Sequence, residues 1–275
     1  RDSIQIYKQM DIGTAKVTEE EKEGIIHHCV DILNPDETYS VHDFQQTVRK
    51  KITEITQRGH VPIIVGGTGL YIKAALYDYQ FDEMENNHHA INEKYKDYTN
   101  EQLHDHLKSI DEESAKTLHF NNRRRVLRAI EIYETTGKRK SEMLEEQEHI
   151  CLYDAYFVGL TLPRDVLYER INKRVDVMME NGLKEEMDCL YSQGLTRNHQ
   201  SMKAIGYKEW FDYYDHQIDL NDVLELIKKH SRQYAKRQYT WFKNQFDVHW
   251  YDVNLENFEQ TIEQVTDDIE KILKV

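Results

Sequence analysis

Apolar residues follow two different spacings along the chain, and these spacings predict alternating helices and strands. Residues 61–65 form a continuous apolar run rich in β-branched side chains, which is typical of a parallel strand buried on both faces. Residues 41–58 have helical spacing and are followed by Gly59, a suitable helix stop, and residues 70–76 are predicted to form the next helix. Helix, strand, glycine turn and helix in this order predict an α/β fold with a parallel sheet.

The same reasoning predicts the remaining elements. Strands are expected at residues 152–162 and 248–253, where apolar and polar residues alternate. Helices are expected at residues 121–133, 166–192 with a break at Gly182, 204–214, 223–246 and 258–273. The chain contains no internal repeat and no low-complexity linker, so a string of independent modules is not expected.

Residues 81–120 differ in composition from the rest of the chain. They contain ten acidic residues, four lysines, five histidines and no arginine, and their leucines are sparse. We predict that this segment is a helical insertion. Residues 1–80 and 121–275 would then form the α/β core.

The distribution of charge points to a local anion-binding surface. The chain has 36 basic and 50 acidic residues and a net charge of −14, which argues against binding nucleic acid by bulk charge. Residues 121–140 nevertheless hold seven basic and two acidic side chains, and residues 228–243 hold six basic and no acidic side chains. The second segment also carries Tyr234 and Tyr239, which could stack on unpaired bases, whereas Trp241 and Phe242 are expected to pack in the core.

Other patterns exclude several classes of protein. Cys29, Cys151 and Cys189 are far apart, so neither a disulfide framework nor a zinc knuckle is expected, and the cytoplasm is the expected compartment. The adjacent histidine pairs lack the spacing of metal ligands on one helical face. The longest apolar stretch is short and interrupted by glycines, so no membrane-spanning helix is predicted. The chain lacks an initiator Met and starts as the interior of a protein would.

A glycine-rich turn, residues 66–69, follows the predicted strand and precedes a helix. Glycines let the backbone approach a ligand, and a helix N-terminus directs amide groups at an anion. By itself this turn is equally compatible with a tight turn that binds nothing. The chain contains no G-x-x-x-x-G-K-[ST] phosphate loop.

Several motifs, in their order along nearly the whole chain, resemble those of the bacterial tRNA dimethylallyltransferases, also called tRNA isopentenyltransferases. The motifs are residues 2–7 (DSIQIY), 10–16 (MDIGTAK), His27-His28 with Asp31, 65–71 (VGGTGLY), 122–131 (NRRRVLRAIE), 204–207 (AIGY) and 232–242 (RQYAKRQYTWF).

The resemblance implies a reaction and a set of site residues. The family transfers a dimethylallyl group from dimethylallyl diphosphate to N6 of adenosine 37 in the tRNA anticodon stem-loop, using Mg²⁺. Its fold is a parallel sheet of the P-loop NTPase/kinase type with flanking helices and an all-helical insertion that clamps the tRNA. By this resemblance Asp2 is the catalytic base, Thr68 contacts the target nucleotide and Arg174 binds diphosphate. The implied tRNA-binding residues are Asp2, Ser3, Ile4, Gln5, Thr68, Arg124, Arg125, Val126, Leu127, Arg128, Lys203, Lys208, Lys236, Arg237, Gln238 and Lys243.

Two departures from the family pattern leave alternatives open. The family's phosphate loop should precede Asp2 and is absent from this sequence, and the insertion lacks the arginine with which the family usually contacts tRNA. No metal ligand is assigned within the chain. The alternatives are a small-molecule kinase, an adenylate isopentenyltransferase acting on free nucleotides, and an RNA-binding module without activity. The chain shows no long heptad seam, so a monomer is expected.

Overall fold

The computed structural model describes residues 3–79, 88–145 and 149–273, so the predicted base Asp2 lies outside the described residues. The chain divides into two compact units. The first unit comprises Arg1–Ala75 and Asp154–Val275, and the second comprises Leu76–Tyr153. Each unit has its own cluster of buried apolar side chains.

Helices dominate both units. In chain order the elements are a short 3-10 helix (Ser3–Ile6), α1 (Val41–Gln57), α2 (Gly69–Leu76), α3 (His88–Lys94), α4 (Asn100–Ile110), α5 (Glu112–Thr117), α6 (Arg123–Thr136), α7 (Lys140–Glu145), β1 (Phe157–Thr161), α8 (Arg164–Glu180), α9 (Leu183–Ser192), a second 3-10 helix (Ser201–Lys203), α10 (Trp210–Tyr214), α11 (Leu220–Gln245), β2 (Val248–Asp252) and α12 (Phe258–Leu273). Within the three described ranges, no helix is both long and apolar enough to cross a membrane.

Helix α1 confirms the helix predicted before the glycine turn. It begins at a capping box, in which the Ser40 hydroxyl accepts from the Asp43 amide and the Asp43 carboxylate accepts from the Ser40 amide. Its helical period buries Val48 and Ile52. The Gln45 side-chain amide donates to the Ala74 carbonyl at 2.7 Å. This bond joins α1 to α2 and so holds the helix that follows the glycine turn.

The sheet of the described residues consists of β1 and β2, which pair in parallel from Phe157 opposite Val248 to Thr161 opposite Asp252. Both strands were predicted. The strand predicted at residues 61–65 was wrong, because this segment has no strand structure and Ile63 is 82% exposed. An apolar run becomes a strand only when a neighbouring strand pairs with it. The structure is therefore α/β with a small parallel sheet, and two strands do not establish a sheet of the P-loop NTPase type.

The first cluster lies among the N-terminal segment and helices α8 to α11. Its largest fully buried side chains are Tyr7, Met10, Leu183, Met187, Leu190, Met202, Tyr207, Trp210 and Ile227. The break at Gly182 is confirmed, because its φ of +98° ends α8 and allows α9 to start in a new direction. A continuous helix over residues 204–214 was wrong. Gly206 has a φ of +96°, which a helix cannot accommodate, and α10 starts only at Trp210.

The second unit differs from the predicted insertion in its boundaries. Helix α6, which we had assigned to the core, belongs to the second unit and supplies Val126 and Ile130 to its cluster. They pack with Leu103 and Leu107 of α4, and all four side chains are fully buried. A few leucines at helical spacing therefore suffice for a core once α6 completes it, which the sparse leucines of residues 81–120 did not indicate.

The two ends of the second unit are hydrogen-bonded to each other. The Leu152 amide donates to the Leu76 carbonyl at 2.8 Å, and Tyr77 forms an antiparallel bridge with Cys151. The Asp78 amide donates to the Ile150 carbonyl at 3.0 Å. The chain therefore enters and leaves this unit at one place.

Asp111 links three parts of the second unit. At the junction of α4 and α5, its carboxylate accepts from the Ser114 amide at 3.0 Å, the Ser141 hydroxyl at 2.7 Å and the Ser141 amide at 3.1 Å. Burial is the largest single influence on the Asp111 carboxyl and by itself would raise its pKa. The hydrogen bonds from Ser114 and Ser141 together outweigh burial and hold the pKa below its usual value.

We expect Asp111→Asn to lower the free energy of unfolding by about 2 kcal/mol at pH 7, since the amide nitrogen cannot accept these bonds. The native pKa is depressed, so the contribution of Asp111 is present above the unfolded-state value of about 3.9 and is lost as the pH falls through the lower native pKa. Denaturant unfolding from pH 7 to pH 2 should show the gap between wild type and variant narrowing in acid. The exposed Asp105→Asn is the control, and a constant gap would contradict the assignment.

Candidate functional site

The glycine turn at residues 66–69 is covered by helix α11. A Cβ atom on Gly69 would lie 2.0 Å from the indole ring of Trp241, and one on Gly67 would lie 1.9 Å from the Gln238 side-chain amide. That amide donates to the Gly67 carbonyl at 3.0 Å. At Gly69 a side chain would overlap the rigid Trp241 ring, whereas at Gly67 it would displace the end of the Gln238 side chain.

Next to this contact, one face of α11 lines an open cleft of about 500 Å³. The lining residues recur at the spacing of a single helical stripe and are Gln233, Lys236, Arg237, Thr240, Trp241, Asn244 and Gln245. The cleft thus combines two cations, several hydrogen-bonding side chains and one aromatic ring.

Two buried polar atoms beside Gly69 have no hydrogen-bond partner among the described residues. They are the Thr68 hydroxyl oxygen and the Trp241 indole nitrogen. Buried polar groups in native proteins are nearly always paired, with protein, water or ligand. The Thr68 hydroxyl therefore has an open hydrogen-bonding position, and its contact with the target nucleotide stays a prediction. Trp241 is half-buried and borders the cleft, so the prediction that it packs wholly in the core was wrong.

The basic side chains of α11 differ in whether they have acidic or polar partners. Lys228 forms ion pairs with Asp176 at 2.8 Å and Glu225 at 3.3 Å. Arg232 donates to the Asn172 side chain on α8. These two residues therefore hold the helix in place.

In contrast, Lys236, Arg237 and Lys243 are exposed and form no ion pair with any acidic side chain in the described part of the chain. The Arg237 guanidinium lies over the Tyr234 ring, 5.7 Å from its centroid. Three unpaired cations near one cleft are available to bind an anion.

The segment of residues 203–208 is tied to α11 through a buried carboxylate. Glu209 is 3% exposed and accepts from the Gly206 amide at 2.9 Å. Its other oxygen lies 2.6 Å from Nδ1 of His230 on α11. Lys203 and Lys208 at the ends of the segment are exposed, as a role in binding RNA requires.

In the N-terminal motif the side chain of Gln5 holds a loop of the same unit. Gln5 is buried, and its side-chain amide donates to the carbonyls of Thr14 and Ala15 at 2.9 and 3.0 Å. Its side chain therefore shapes the loop, and the tRNA contact of this segment stays a prediction. Ile4 packs against the first cluster. Burial raises the pKa of the neighbouring Tyr7 to about 12, so its phenol stays neutral at physiological pH.

In the second unit the predicted basic motif is only partly accessible. Arg124 and Arg125 are exposed, whereas Val126 and Leu127 are buried in the second cluster. The tRNA contact of this segment stays a prediction, and its exposed side chains are the two arginines. The alternation follows from the helical period of α6, which turns successive residues to different faces. Arg128 is half-exposed and pairs with the buried Glu131 at 2.9 Å.

Arg123 has a structural role that the sequence did not reveal. Its guanidinium donates to the carbonyls of Tyr95 and Tyr98, both at 2.6 Å. Nearby, the pKa of Lys140 is lowered, first by burial and then by the positive charge of Arg125. Clustered cations of this kind favour an anionic ligand.

The described residues do not place Arg174, the predicted diphosphate-binding residue, at the cleft. They also do not form a magnesium site. Arg174 is exposed on α8, and no described contact links it to the cleft. The described ranges hold no group of three His, Cys, Asp or Glu side chains that could hold a metal ion. These residues alone do not form a magnesium site.

A family model described as IPP transferase matches residues 5–245, which is most of the chain. The chain belongs to the IPP transferase family. This match spans the glycine turn, α6 and the whole of α11, so both units described above are parts of the IPP transferase pattern.

Similar proteins agree with this assignment. The chain is 52% identical over 260 residues to a tRNA dimethylallyltransferase of Bacillus cereus (strain ATCC 10987 / NRS 248), which covers 92% of this chain and 80% of that relative. It resembles the crystal structure of a tRNA isopentenylpyrophosphate transferase of Staphylococcus epidermidis with a TM-score of 0.70 and 46% identity, over 98% of this chain and 89% of the other. A eukaryotic dimethylallyltransferase acting on tRNA matches with a TM-score of 0.82 and 30% identity, over 96% of this chain and 69% of that one.

Sequence reasoning missed the connecting role of Glu209 and Gln238 in this IPP transferase. Glu209 stands between Tyr207 and Trp210, both fully buried. An acidic residue within an apolar helical pattern indicates a buried, hydrogen-bonded carboxylate, so this signal was available. No comparable signal marks Gln238, because the family motif suggested an RNA contact there.

We expect Gly69→Ala to lower the free energy of unfolding by about 1–3 kcal/mol, because the added methyl group overlaps the Trp241 ring. Gly67→Ala is the matched comparison. There the methyl group meets the end of the flexible Gln238 side chain, which can move away with the loss of one hydrogen bond worth about 1 kcal/mol. Denaturant unfolding should rank Gly69→Ala as the more destabilising variant. Equal losses would show that α11 does not press on Gly69.

Proposed function

We propose that this IPP transferase transfers the dimethylallyl group of dimethylallyl diphosphate to N6 of adenosine 37 in the anticodon stem-loop of tRNA. The new N6–C1 bond replaces the C1–O bond, diphosphate leaves, and N6 loses one proton. The observation that best supports this is the cleft lined by α11, which holds the unpaired cations Lys236 and Arg237 and the unpaired Trp241 indole nitrogen, together with the unpaired Thr68 hydroxyl in the turn that α11 covers. Its relatives named tRNA dimethylallyltransferase favour the same reaction.

The chemistry of the reactants explains these features. An allylic diphosphate ionises readily, so the main need is to stabilise the departing diphosphate with cations and helix N-terminal amides. Helix α2 starts at Gly69 and directs its first amides toward the turn that carries Thr68. We propose that the Thr68 hydroxyl contacts the target nucleotide, and that Arg174 and Mg²⁺, implied by the family resemblance, assist with the diphosphate.

The acceptor amine is a weak nucleophile because its lone pair is delocalised into the adenine ring. A carboxylate that orients the amine and takes its proton as the bond forms solves this problem. We propose Asp2 for this role.

A tRNA acceptor fits the charge distribution better than a free nucleotide does. The target base must leave its stack to reach a buried site, and basic side chains must then hold the flanking phosphates. Lys236, Arg237 and Lys243 of α11 and Arg124 and Arg125 of α6 carry more unpaired charge than a mononucleotide requires. We propose that the second unit clamps the anticodon stem, and that the enzyme acts as a monomer in the cytoplasm.

Transfer of radiolabel from dimethylallyl diphosphate should be measured with the full-length protein and either bulk tRNA or AMP as acceptor. We expect labelled tRNA and no labelled AMP, and the reverse result would assign the enzyme to the adenylate class.

In Asp2→Asn, single-turnover transfer should fall 10²–10⁴-fold while tRNA affinity stays nearly constant, because only the proton acceptor is lost. A near-normal rate would remove Asp2 from the role of base.

Alanine at Lys236, Arg237 or Lys243 should weaken binding of every acceptor tRNA alike. Each substitution should also make the slope of the logarithm of the association constant against the logarithm of salt concentration less steep by roughly 0.7–0.9. A variant that neutralises one phosphate fewer releases fewer counterions when it binds. Filter binding at several salt concentrations measures the slope. The exposed Lys271 on α12, paired with Asp268, provides the control, and Lys271→Ala should leave the slope unchanged. Identical slopes for all four variants would show that the α11 cations only face solvent.

A further inference from the structure

Glu186 on α9 is surrounded by hydrogen-bond donors from distant parts of the chain. One carboxylate oxygen accepts from the backbone amides of Asp11 and Ile12, both at 2.7 Å. The other accepts from the Gly13 amide at 3.1 Å and from the Tyr207 hydroxyl at 2.7 Å. Three consecutive amides that converge on one anion form a nest of the kind that binds phosphate in other proteins. Here the chain's own carboxylate fills it.

The loop held by Glu186 in turn holds the N-terminal motif. The Gln5 side chain donates to the carbonyls of Thr14 and Ala15, directly after the nest. The Thr14 hydroxyl donates to the Met10 carbonyl at 2.7 Å and closes the loop on itself. A displacement of residues 11–13 is therefore transmitted to residues 3–5.

On its other side the loop touches the segment of residues 203–208. A Cβ atom on Gly13 would lie 2.6 Å from the Tyr207 ring, and one on Gly206 would lie 3.4 Å from the Gly13 carbonyl oxygen. A side chain at Gly13 would overlap the Tyr207 ring, and the φ of +96° at Gly206 favours glycine there. The same Tyr207 donates its hydroxyl to Glu186, so the carboxylate lies where the loop and this segment meet.

We propose that Glu186 is a positioning residue for tRNA recognition, which fixes the N-terminal contact segment (residues 3–5) relative to the segment of residues 203–208. This inference rests on the proposed function, because the family resemblance implies tRNA contacts in both segments. Glu186 acts through the nest and Tyr207 and does not itself touch the substrate. Its role is to set the spacing of two RNA contacts before tRNA arrives.

Glu186→Gln tests this role with little change in shape. The glutamine oxygen can still accept two bonds, but its NH₂ group then faces a donor at the Gly13 amide or at the Tyr207 hydroxyl. The loop should shift, and misplacement of about 1 Å costs roughly 10²-fold. We expect kcat/KM for tRNA to fall about 10²-fold, mainly through KM, while KM for dimethylallyl diphosphate stays unchanged. The amides of residues 11–13 should exchange with deuterium faster, whereas the buried amides of α9 and α11 should not.

Two further variants separate positioning from a general loss of structure. Glu185→Gln removes the same charge at the neighbouring exposed position of α9 and should behave as wild type. Tyr207→Phe removes one donor and should raise KM for tRNA less than Glu186→Gln does. In a double-mutant cycle the Tyr207→Phe effect should largely vanish in the Glu186→Gln background, because both act through one bond.

The outcomes distinguish this inference from the proposed function. If wild-type enzyme fails to modify tRNA, the proposed function is wrong. If wild-type enzyme is active and Glu186→Gln keeps a normal KM for tRNA, Glu186 has no positioning role. The same conclusion follows if only kcat falls, and falls in proportion to the fraction of the variant that is folded. Should Glu186→Gln not fold, an unchanged KM for tRNA in Tyr207→Phe would overturn the inference equally.

Discussion

The contact between α11 and the glycine turn at residues 66–69 is the interaction on which the candidate site depends. The first half of this 26-residue helix buries Val223 and Ile227 in the first cluster and packs against α8. The second half has no fully buried side chain and is held by the turn, through Gln238 and Trp241, and by a bond of 2.7 Å from Lys73 to Gln245. One helix is thus anchored in the first cluster at its start and lines the candidate cleft at its end.

This division also explains how basic residues of similar sequence context acquire different roles. A basic side chain that pairs with a nearby carboxylate or carbonyl stabilises the fold, as Lys228 and Arg123 do. A basic side chain without such a partner, such as Lys236 or Arg124, can instead pair with an anionic ligand. An acidic protein can therefore present a basic surface wherever the fold keeps its carboxylates away.

Sequence periodicity predicted those elements whose stability is local or amphipathic. Helices α1 and α12 were found close to their predicted bounds, and the two observed strands were expected. Residues 61–65 failed because a strand is defined by its partner, which lies elsewhere in the chain. The burial of Val126 and Leu127 within the motif at residues 122–131 was not predicted, because a motif names positions without saying which face each one occupies. The burial of Gln5 and the link from Glu209 to His230 depend on tertiary contacts, which no local pattern records.

The paired ends of the second unit bear on how the chain folds. A flexible loop of its length would oppose closure of the first unit by about 4 kcal/mol of chain entropy at 25 °C. Once the second unit has folded, Leu76 and Leu152 are already hydrogen-bonded to each other. Most of the entropy cost of closing this loop is then part of the folding of the second unit. The flanking segments, α2 on one side and β1 on the other, are then close together before they pack. Folding of the inserted unit should therefore precede and accelerate assembly of the unit that it interrupts.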